Sequence, residues 1–217
     1  MISRTHRIIV ITPVYEDVAA SSRLFRELGE LFGADIFVVA VDDGSIRATL
    51  PIEALKHAGV AGVVLKLRRN VGHQRAIAIG LSYTAAQMCD NQRAVIMDSD
   101  GEDLPSSIAG LVNALESEEY DIAVAARGSR VATLRFRLFY FLYKHIFRLL
   151  TGRSLGFGNF MALKAVAVRR LASMHELAIH VAGAVLASNL RTGFFPIDRG
   201  PRYAGQSKMH FIGLALH

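Results

Sequence analysis

The sequence predicts an α/β fold, a mostly parallel central sheet flanked by helices. Three observations lead there. Short apolar runs centred near residues 9, 38, 64, 95 and 123 alternate with segments whose apolar residues recur at helical spacing. Each run ends in a polar or glycine-bearing loop, and in a doubly wound sheet ligands bind where such loops gather, outside the carboxyl ends of the strands. The 217 residues, 52% of them hydrophobic, supply one sizeable core, and there is no internal repeat or low-complexity linker. One domain over 1–217 is expected.

Residues 7–12 read as the first strand, leaving through Pro13-Val14-Tyr15-Glu16-Asp17 into a helix over 18–32 with Leu24, Leu28 and Leu31 on one face. A second strand, 35–41, ends in Asp42-Asp43-Gly44-Ser45; a short helix at 52–57 and a strand at 60–67 follow. Arg68-Arg69-Asn70-Val71-Gly72 then opens a helix over 73–88. Gly72, Ala76 and Gly80 recur there every fourth residue, which lets the helix approach the sheet or a bound nucleotide closely, and helix N-termini attract phosphate. The strand at 94–97 runs into Asp98-Ser99-Asp100-Gly101-Glu102-Asp103-Leu104-Pro105, followed by a helix over 106–116 and a strand over 121–126. Gly156-Phe157-Gly158-Asn159 turns into a short strand, a helix from about 164 and a helix over 176–190 on which Glu176 and His180, four apart, share a face.

Asp98 and Asp100 lie two apart at a strand end, so in extended backbone both side chains project on one side. Two readings are open at that point. Carboxylates crowded in this way suit a hard cation such as Mg²⁺ or Mn²⁺ shared with substrate phosphates. Alternatively the stretch is an exposed acidic turn, with Asp103 as helix N-cap and Pro105 in the first turn. The convergence of all the polar loops at one edge of the sheet favours the cation. Asp42 and Asp43 suit hydrogen bonds from a ribose or a base edge, or else a simple Asx turn. Glu176 and His180 suit a metal, a base or a surface pair.

The net charge of +6 points to an anionic partner. The lone Cys89 excludes an intramolecular disulfide, fits a reducing compartment and reads as a small buried hydrophobe on a helix. Residues 132–150 interleave aromatic with basic side chains: Arg137, Lys144 and Arg148 fall near one helical face, Leu138, Leu142 and Leu149 near another. That pattern suits an anionic membrane surface or a lipid phosphate; core packing and a dimer contact are the alternatives, and nucleic acid is not expected. There is no leader-like apolar region with a cleavage site and no run of ~18 apolar residues, so chemistry on the cytosolic side is expected. Residues 198–208 form a basic loop fit to close over phosphates.

Together these loops resemble the family-2 glycosyltransferases, and within them the polyprenyl-phosphate sugar transferases akin to dolichol-phosphate mannose synthase. Pro13-Val14-Tyr15-Glu16-Asp17 is similar to the family's Pro-x-Tyr-Asn-Glu, and Asp42-Asp43-Gly44-Ser45 is its Asp-Asp-Gly-Ser. Asn70-x-Gly72-x-x-x-Ala76-x-x-x-Gly80 matches the next motif. Asp98-x-Asp100-x-Glu102-Asp103-x-Pro105 resembles Asp-x-Asp-x-Gln-Asp-x-Pro, and Arg202-x-x-Gly205-x-Ser207-Lys208 matches the closing motif. Five motifs in the correct order cover nearly the whole chain.

The resemblance implies a glycosyltransferase-A (Rossmann-like) fold and an inverting, metal-dependent transfer from a UDP- or GDP-sugar to a polyprenyl phosphate at the cytoplasmic face of the membrane. It implies a donor site of Pro13, Tyr15, Asp17, Asp42, Asp43, Asn70, Gly72, Asp98, Ser99 and Asp100. Mg²⁺ or Mn²⁺ would lie on Asp98, Asp100 and Glu102. An acceptor phosphate would meet Arg127, Arg130, Arg135 and Arg137, with Arg202, Ser207 and Lys208 closing over it. Asp100 would serve catalysis through the metal. A lipid phosphate needs little help from a base, whereas a sugar hydroxyl or soluble acceptor would call on Glu176 or Asp103. A non-catalytic nucleotide- or membrane-binding module is the reading from another class. Departures from the pattern are Glu16-Asp17 for Asn-Glu, Glu102 for Gln, and the missing Asp before Gly158-Asn159-Phe160. Many relatives carry transmembrane helices after the catalytic domain, and the apolar ending here suggests that the parent protein continues into the membrane.

Overall fold

The computed structural model describes residues 2–127 and 157–203. Its centre is a seven-stranded sheet: β1 (Ile8–Val14), β2 (Ile36–Asp42), β3 (Ala61–Lys66), β4 (Arg93–Ile96), β5 (Ile122–Arg127), β6 (Met161–Lys164) and β7 (Thr192–Ile197), in the order β3-β2-β1-β4-β6-β5-β7. β1 runs parallel to β2 and β4, β2 to β3, and β5 to β7, as alternation of strand and helix requires. β6 is the exception, antiparallel to both β4 and β5. The mostly parallel α/β expectation holds.

Every residue of β1 and β2 is buried because helices cover both faces, and successive side chains serve opposite layers. Ile9, Ile11, Val39, Val41, Ile96 and Met161 pack on one side with α3 (His73–Ala85), α5 (Ala165–Ala172) and α6 (Val181–Ala187). On the other side Val10, Val38, Ala40, Val95 and Met97 meet Leu24, Phe25 and Leu28 of α1 (Val18–Phe32), with α2 (Glu53–His57) and α4 (Ile108–Ala114) beside it. Asp17 caps α1, its Oδ1 accepting from the Ala20 N–H at 3.2 Å. Gly80 is where α3 meets the sheet: a Cβ there would lie 2.5 Å from Ile11 Cγ2 and 3.1 Å from Val41 Cγ2.

Several expected boundaries move for identifiable reasons. β1 runs through Pro13 to Val14, because its ladder with β4 has ended at Ile11 and a missing N–H costs nothing on a free edge. α3 stops at Ala85, which puts Cys89, half-buried, in the turn beyond it rather than on a helix. The 106–116 helix begins as a 3₁₀ turn, Pro105–Ser107, capped by Leu104 and not by Asp103. The 176–190 helix is two pieces: a 3₁₀ turn, His175–Ala178, and α6, with His180 in extended backbone between them. Burial holds the His180 imidazole below its usual pKa and hence neutral, so Nδ1 accepts from the Gly183 N–H at 3.0 Å and caps α6. Glu176 and His180 therefore do not share a helical face, and Glu176 is exposed. No helix among the described residues is long and apolar enough to cross a membrane.

Candidate active site

Strand order reverses between β1, which leads to β2, and β4 on its other edge. At such a reversal the ends of neighbouring strands splay into a crevice. Pro13, Val14 and Tyr15 form one lip and Asp98, Ser99 and Asp100 the other. Ser99 Oγ ties them by donating to the Pro13 carbonyl at 3.2 Å.

Beside the first lip, three acids organise backbone. Asp42 is 2% exposed; its Oδ1 accepts from the Ser45 N–H at 3.1 Å and its Oδ2 from the Leu50 N–H at 2.9 Å. Asp43, 3% exposed, accepts from the Val71 and Gly72 N–H groups at 2.7 and 3.0 Å, fastening the loop that opens α3. Gly44, at φ +71°, packs so closely on Arg69 and Asn70 that a Cβ would sit 2.2 Å from the Arg69 carbonyl carbon. Glu16 stands at φ +49°, a conformation that favours Asn, the residue the motif carries there. Its carboxylate collects the N–H groups of Ile46, Arg47 and Ala48 at 2.8, 3.1 and 2.9 Å, and those bonds hold its pKa below the usual carboxylate value. Asp42 and Asp43, expected to face a ribose or base, thus have their oxygens turned onto the protein's own amides. They shape the ledge, and Tyr15, next in the chain to the Glu16 that gathers its amides, is 43% exposed. Asp17 is likewise engaged as the α1 cap, while Asn70 is exposed and Gly72 caps α3.

At the second lip, Asp98 Oδ1 lies 3.2 Å from His73 Nε2 at the start of α3, and Asn159 Nδ2 lies 3.0 Å from the same nitrogen. Burial disfavours the imidazolium, but Asp98, with Asp100 and Asp103 behind it, outweighs that and raises the His73 pKa. Burial also raises the Asp100 pKa, seconded by the charges of Asp98 and Glu102 and opposed by a hydrogen bond from the Glu102 N–H and by Arg202. Asp103, 3% exposed, accepts from the Asp98 N–H at 3.0 Å, so it holds the loop from inside rather than capping a helix at the surface. Glu102, expected among the metal ligands, meets Arg199 through Oε2 and Arg202 Nε through Oε1. Arg202 also reaches Asp100 Oδ2 at 2.9 Å. Residues 199–203 therefore lie across the acidic loop, with Asp103 and Arg199 bridged in antiparallel fashion.

Asp98 and Asp100 with His73 alongside form a set that fits a divalent ion completed by substrate phosphates, which is how Mg²⁺ is usually held. Among the described residues no three His, Cys, Asp or Glu side chains make a cage by themselves. The structure thus gathers Pro13, Tyr15, Asp42, Asp43, Gly72, Asp98, Ser99, Asp100, Glu102, Asp103 and Arg202 around one crevice. Arg130, Arg135, Arg137, Ser207, Lys208 and the 132–150 helix lie outside the described residues, as does the Arg127 side chain. Sequence reasoning missed His73, Asn159 and Arg199. His73 had a signal, since it follows the Gly72 that opens α3, and Arg199 had one in its place within the basic loop 198–208, though nothing there gives its partner Glu102.

An acid pair at the switch point of a mostly parallel, helix-covered sheet defines a protein of the glycosyltransferase-A fold. The chain belongs to glycosyl transferase family 2, whose family model matches residues 9–176. It is 27% identical over 218 aligned positions to the undecaprenyl-phosphate 4-deoxy-4-formamido-L-arabinose transferase of Enterobacter sp. (strain 638), covering 96% of this chain. The chain spans 64% of that relative's length. In fold it is similar to glucosyl-3-phosphoglycerate synthase from Mycobacterium tuberculosis, solved with Mn²⁺, UDP-glucose and phosphoglyceric acid, at TM-score 0.64 and 17% identity over 92% of this chain and 73% of that one. It is also similar to a mannosyltransferase from Pyrobaculum calidifontis solved with GDP-mannose and Mn²⁺, at TM-score 0.56 and 17% identity over 88% and 55% of the two chains.

Proposed function

We propose that the chain transfers a sugar, with inversion, from a UDP- or GDP-linked donor to a polyprenyl phosphate at the cytoplasmic face of the membrane. The observation that carries this reading is the pair Asp98 and Asp100 at the β1/β4 switch point, with His73 at 3.2 Å from Asp98 and Arg202 at 2.9 Å from Asp100. The relative that transfers to undecaprenyl phosphate supports the acceptor class, and the neighbours solved with UDP-glucose and GDP-mannose support the donor class.

The Tyr15 ring and the 44–48 ledge receive the base and ribose. Asp98 and Asp100 would hold Mg²⁺ or Mn²⁺, which would supply Lewis-acid stabilisation to the departing nucleoside diphosphate. Arg202 offers positive charge to the phosphate oxygens, and His73, 3.2 Å from Asp98, orients that carboxylate. The acceptor's phosphate oxygen is already anionic, so positioning by Arg127, Arg130, Arg135 and Arg137 replaces a general base. Glu176 is then not needed as a base, and Asp103 is a positioning residue behind Asp98. Residues 132–150 lie against the anionic membrane or a second copy of the chain.

Calorimetry with UDP and GDP, each with and without Mn²⁺, tests the donor side, and label transfer from the preferred nucleotide sugar to undecaprenyl phosphate tests the acceptor. We expect metal-dependent binding of one nucleotide, abolished in Asp100→Asn, and a lipid-linked product. Binding of neither nucleotide, or binding indifferent to metal and to that substitution, would sink the proposal in favour of a binding module.

A further inference from the structure

Residues 199–203 are fastened at both ends of their crossing. The Gly200 N–H donates to the Glu102 carbonyl at 3.1 Å and the Tyr203 N–H to the Asp100 carbonyl at 2.8 Å. The tyrosine ring lies flat on Gly101, whose φ is +90°; a Cβ there would come within 2.7 Å of the ring. Gly200 sits as tightly, since its Cβ would be 2.5 Å from the Gly101 carbonyl oxygen. Neither crossing tolerates a side chain.

Beyond the acidic loop the same tyrosine reaches α1. Its hydroxyl donates to Glu27 Oε2, and Arg23 Cζ lies 4.2 Å from its ring centroid. Arg23 Nε in turn pairs with Glu27 Oε1 at 3.0 Å. Arg23 and Glu27 share one face of a helix whose other face is in the core, so the mooring starts from a fixed backbone. One residue earlier, Arg202 directs Nη2 to Asp100 at 2.9 Å and Nε to Glu102 at 3.1 Å. Its guanidinium meets the carboxylate that the donor reading gives to the metal.

We propose that Tyr203 is a positioning residue: moored to Arg23 and Glu27 of α1, it holds the Arg202 guanidinium on Asp100, where arginine and divalent cation compete until a nucleoside diphosphate takes the arginine over. This rests on the donor reading above. A metal ion arriving alone meets an Asp100 already neutralised. Arriving with a diphosphate, it brings oxygens that give Arg202 a new bidentate partner and release the carboxylate. The strap therefore favours loading of metal and nucleotide together over metal alone.

The test uses the 217-residue chain and two probes, Mn²⁺ alone and Mn²⁺ with UDP or GDP, in wild type and in Arg202→Ala, Tyr203→Ala, Tyr203→Phe and Glu27→Gln. Free Mn²⁺ is counted by its electron paramagnetic resonance signal, and folding of each variant is checked by circular dichroism. We expect Arg202→Ala to bind Mn²⁺ alone more tightly by about tenfold, taking as the guide the low end of what a neighbouring guanidinium does to the proton affinity of a carboxylate. Its affinity for nucleotide in the presence of Mn²⁺ should fall. Tyr203→Ala should move both affinities in the same directions, with Tyr203→Phe and Glu27→Gln less far; Glu27 is on α1, so a shift there reports the mooring. Unchanged Mn²⁺ affinity in folded Arg202→Ala or Tyr203→Ala overturns the proposal. Wild type that binds no nucleotide with metal present overturns the donor reading instead, and the Mn²⁺-only comparison still decides the competition.

Discussion

Replacing Asp42 by Asn changes no more than one oxygen to an NH₂ group, at a site only 2% exposed to solvent. The native carboxylate accepts two backbone N–H bonds, from Ser45 at 3.1 Å and Leu50 at 2.9 Å. Asparagine keeps one acceptor oxygen and turns two donor hydrogens toward the other N–H. One charge-assisted bond worth about 1.5–3 kcal/mol disappears, and a buried amide is left facing a donor; relief of burying a charge offsets part, for a net loss of about 2–4 kcal/mol. Urea unfolding followed by circular dichroism should show the midpoint falling by about 1 M with the slope unchanged, since the surface exposed on unfolding is the same. The reasoning fails if Asp42→Asn unfolds at the wild-type midpoint yet loses nucleotide affinity. Asp42 would then be a ligand to the nucleotide and not a clamp on the loop.

Two further changes probe the scaffold. Gly80→Ala places a methyl 2.5 Å from Ile11 Cγ2 in the packed layer between α3 and the sheet, and should cost about 1–3 kcal/mol, read as a lower melting temperature; an unchanged melt would mean α3 can lift away freely. At the far end of the sheet, Asp121 Oδ1 meets Arg191 Nη2 at 2.7 Å and Oδ2 meets Nε at 3.0 Å, and these bonds hold the Asp121 carboxyl below its usual pKa against the pull of burial. A depressed folded-state pKa gives stability that is complete above the unfolded-state value, near 4, and drains away as pH falls through the folded-state value. Asp121→Asn should therefore be less stable than wild type at pH 7, modestly because Arg191 is open to solvent, and should lose less on acidification below pH ~4. Parallel stability curves from pH 7 to 3 would count against the linkage.

The residues that announced the site did so through local rules. Asp98 and Asp100 declare themselves as acids just beyond an apolar run, but the strand period does not aim them: β4 ends at Ile96 and Asp100 lies in the turn that follows, its Oδ1 accepting from the Glu102 N–H. The Asp42-Asp43-Gly44-Ser45 loop was legible as a position but not as a role, because a carboxylate that accepts from a ribose and one that accepts from a backbone amide have the same spelling. Glu176 and His180 misled for a similar reason: the spacing of a helical face is also the spacing across a 3₁₀ turn and a cap. The mooring of Tyr203 on Glu27 and the pairing of Arg199 with Glu102 join positions 176 and 97 residues apart, and no local pattern encodes such contacts. The direction of β6 was hidden as well, since four residues between two strands fit either way round.

That reversed strand has an architectural consequence. A parallel strand is entered from the edge where its neighbours begin, but β6 is entered from the edge where β4 and β5 end, with Met161 level with Ile96 and Val124. The chain departs from β5 at Arg127 and is received again before β6, beside Asn159 and His73, on that same edge. The described chain on either side of 128–156 therefore stands on one edge of the sheet, the edge that carries Asp98 and Asp100. Two ends held so near one another on one edge can be joined by connections of very different length at a closure cost that grows only slowly, so the register of the seven strands does not depend on what joins β5 to β6.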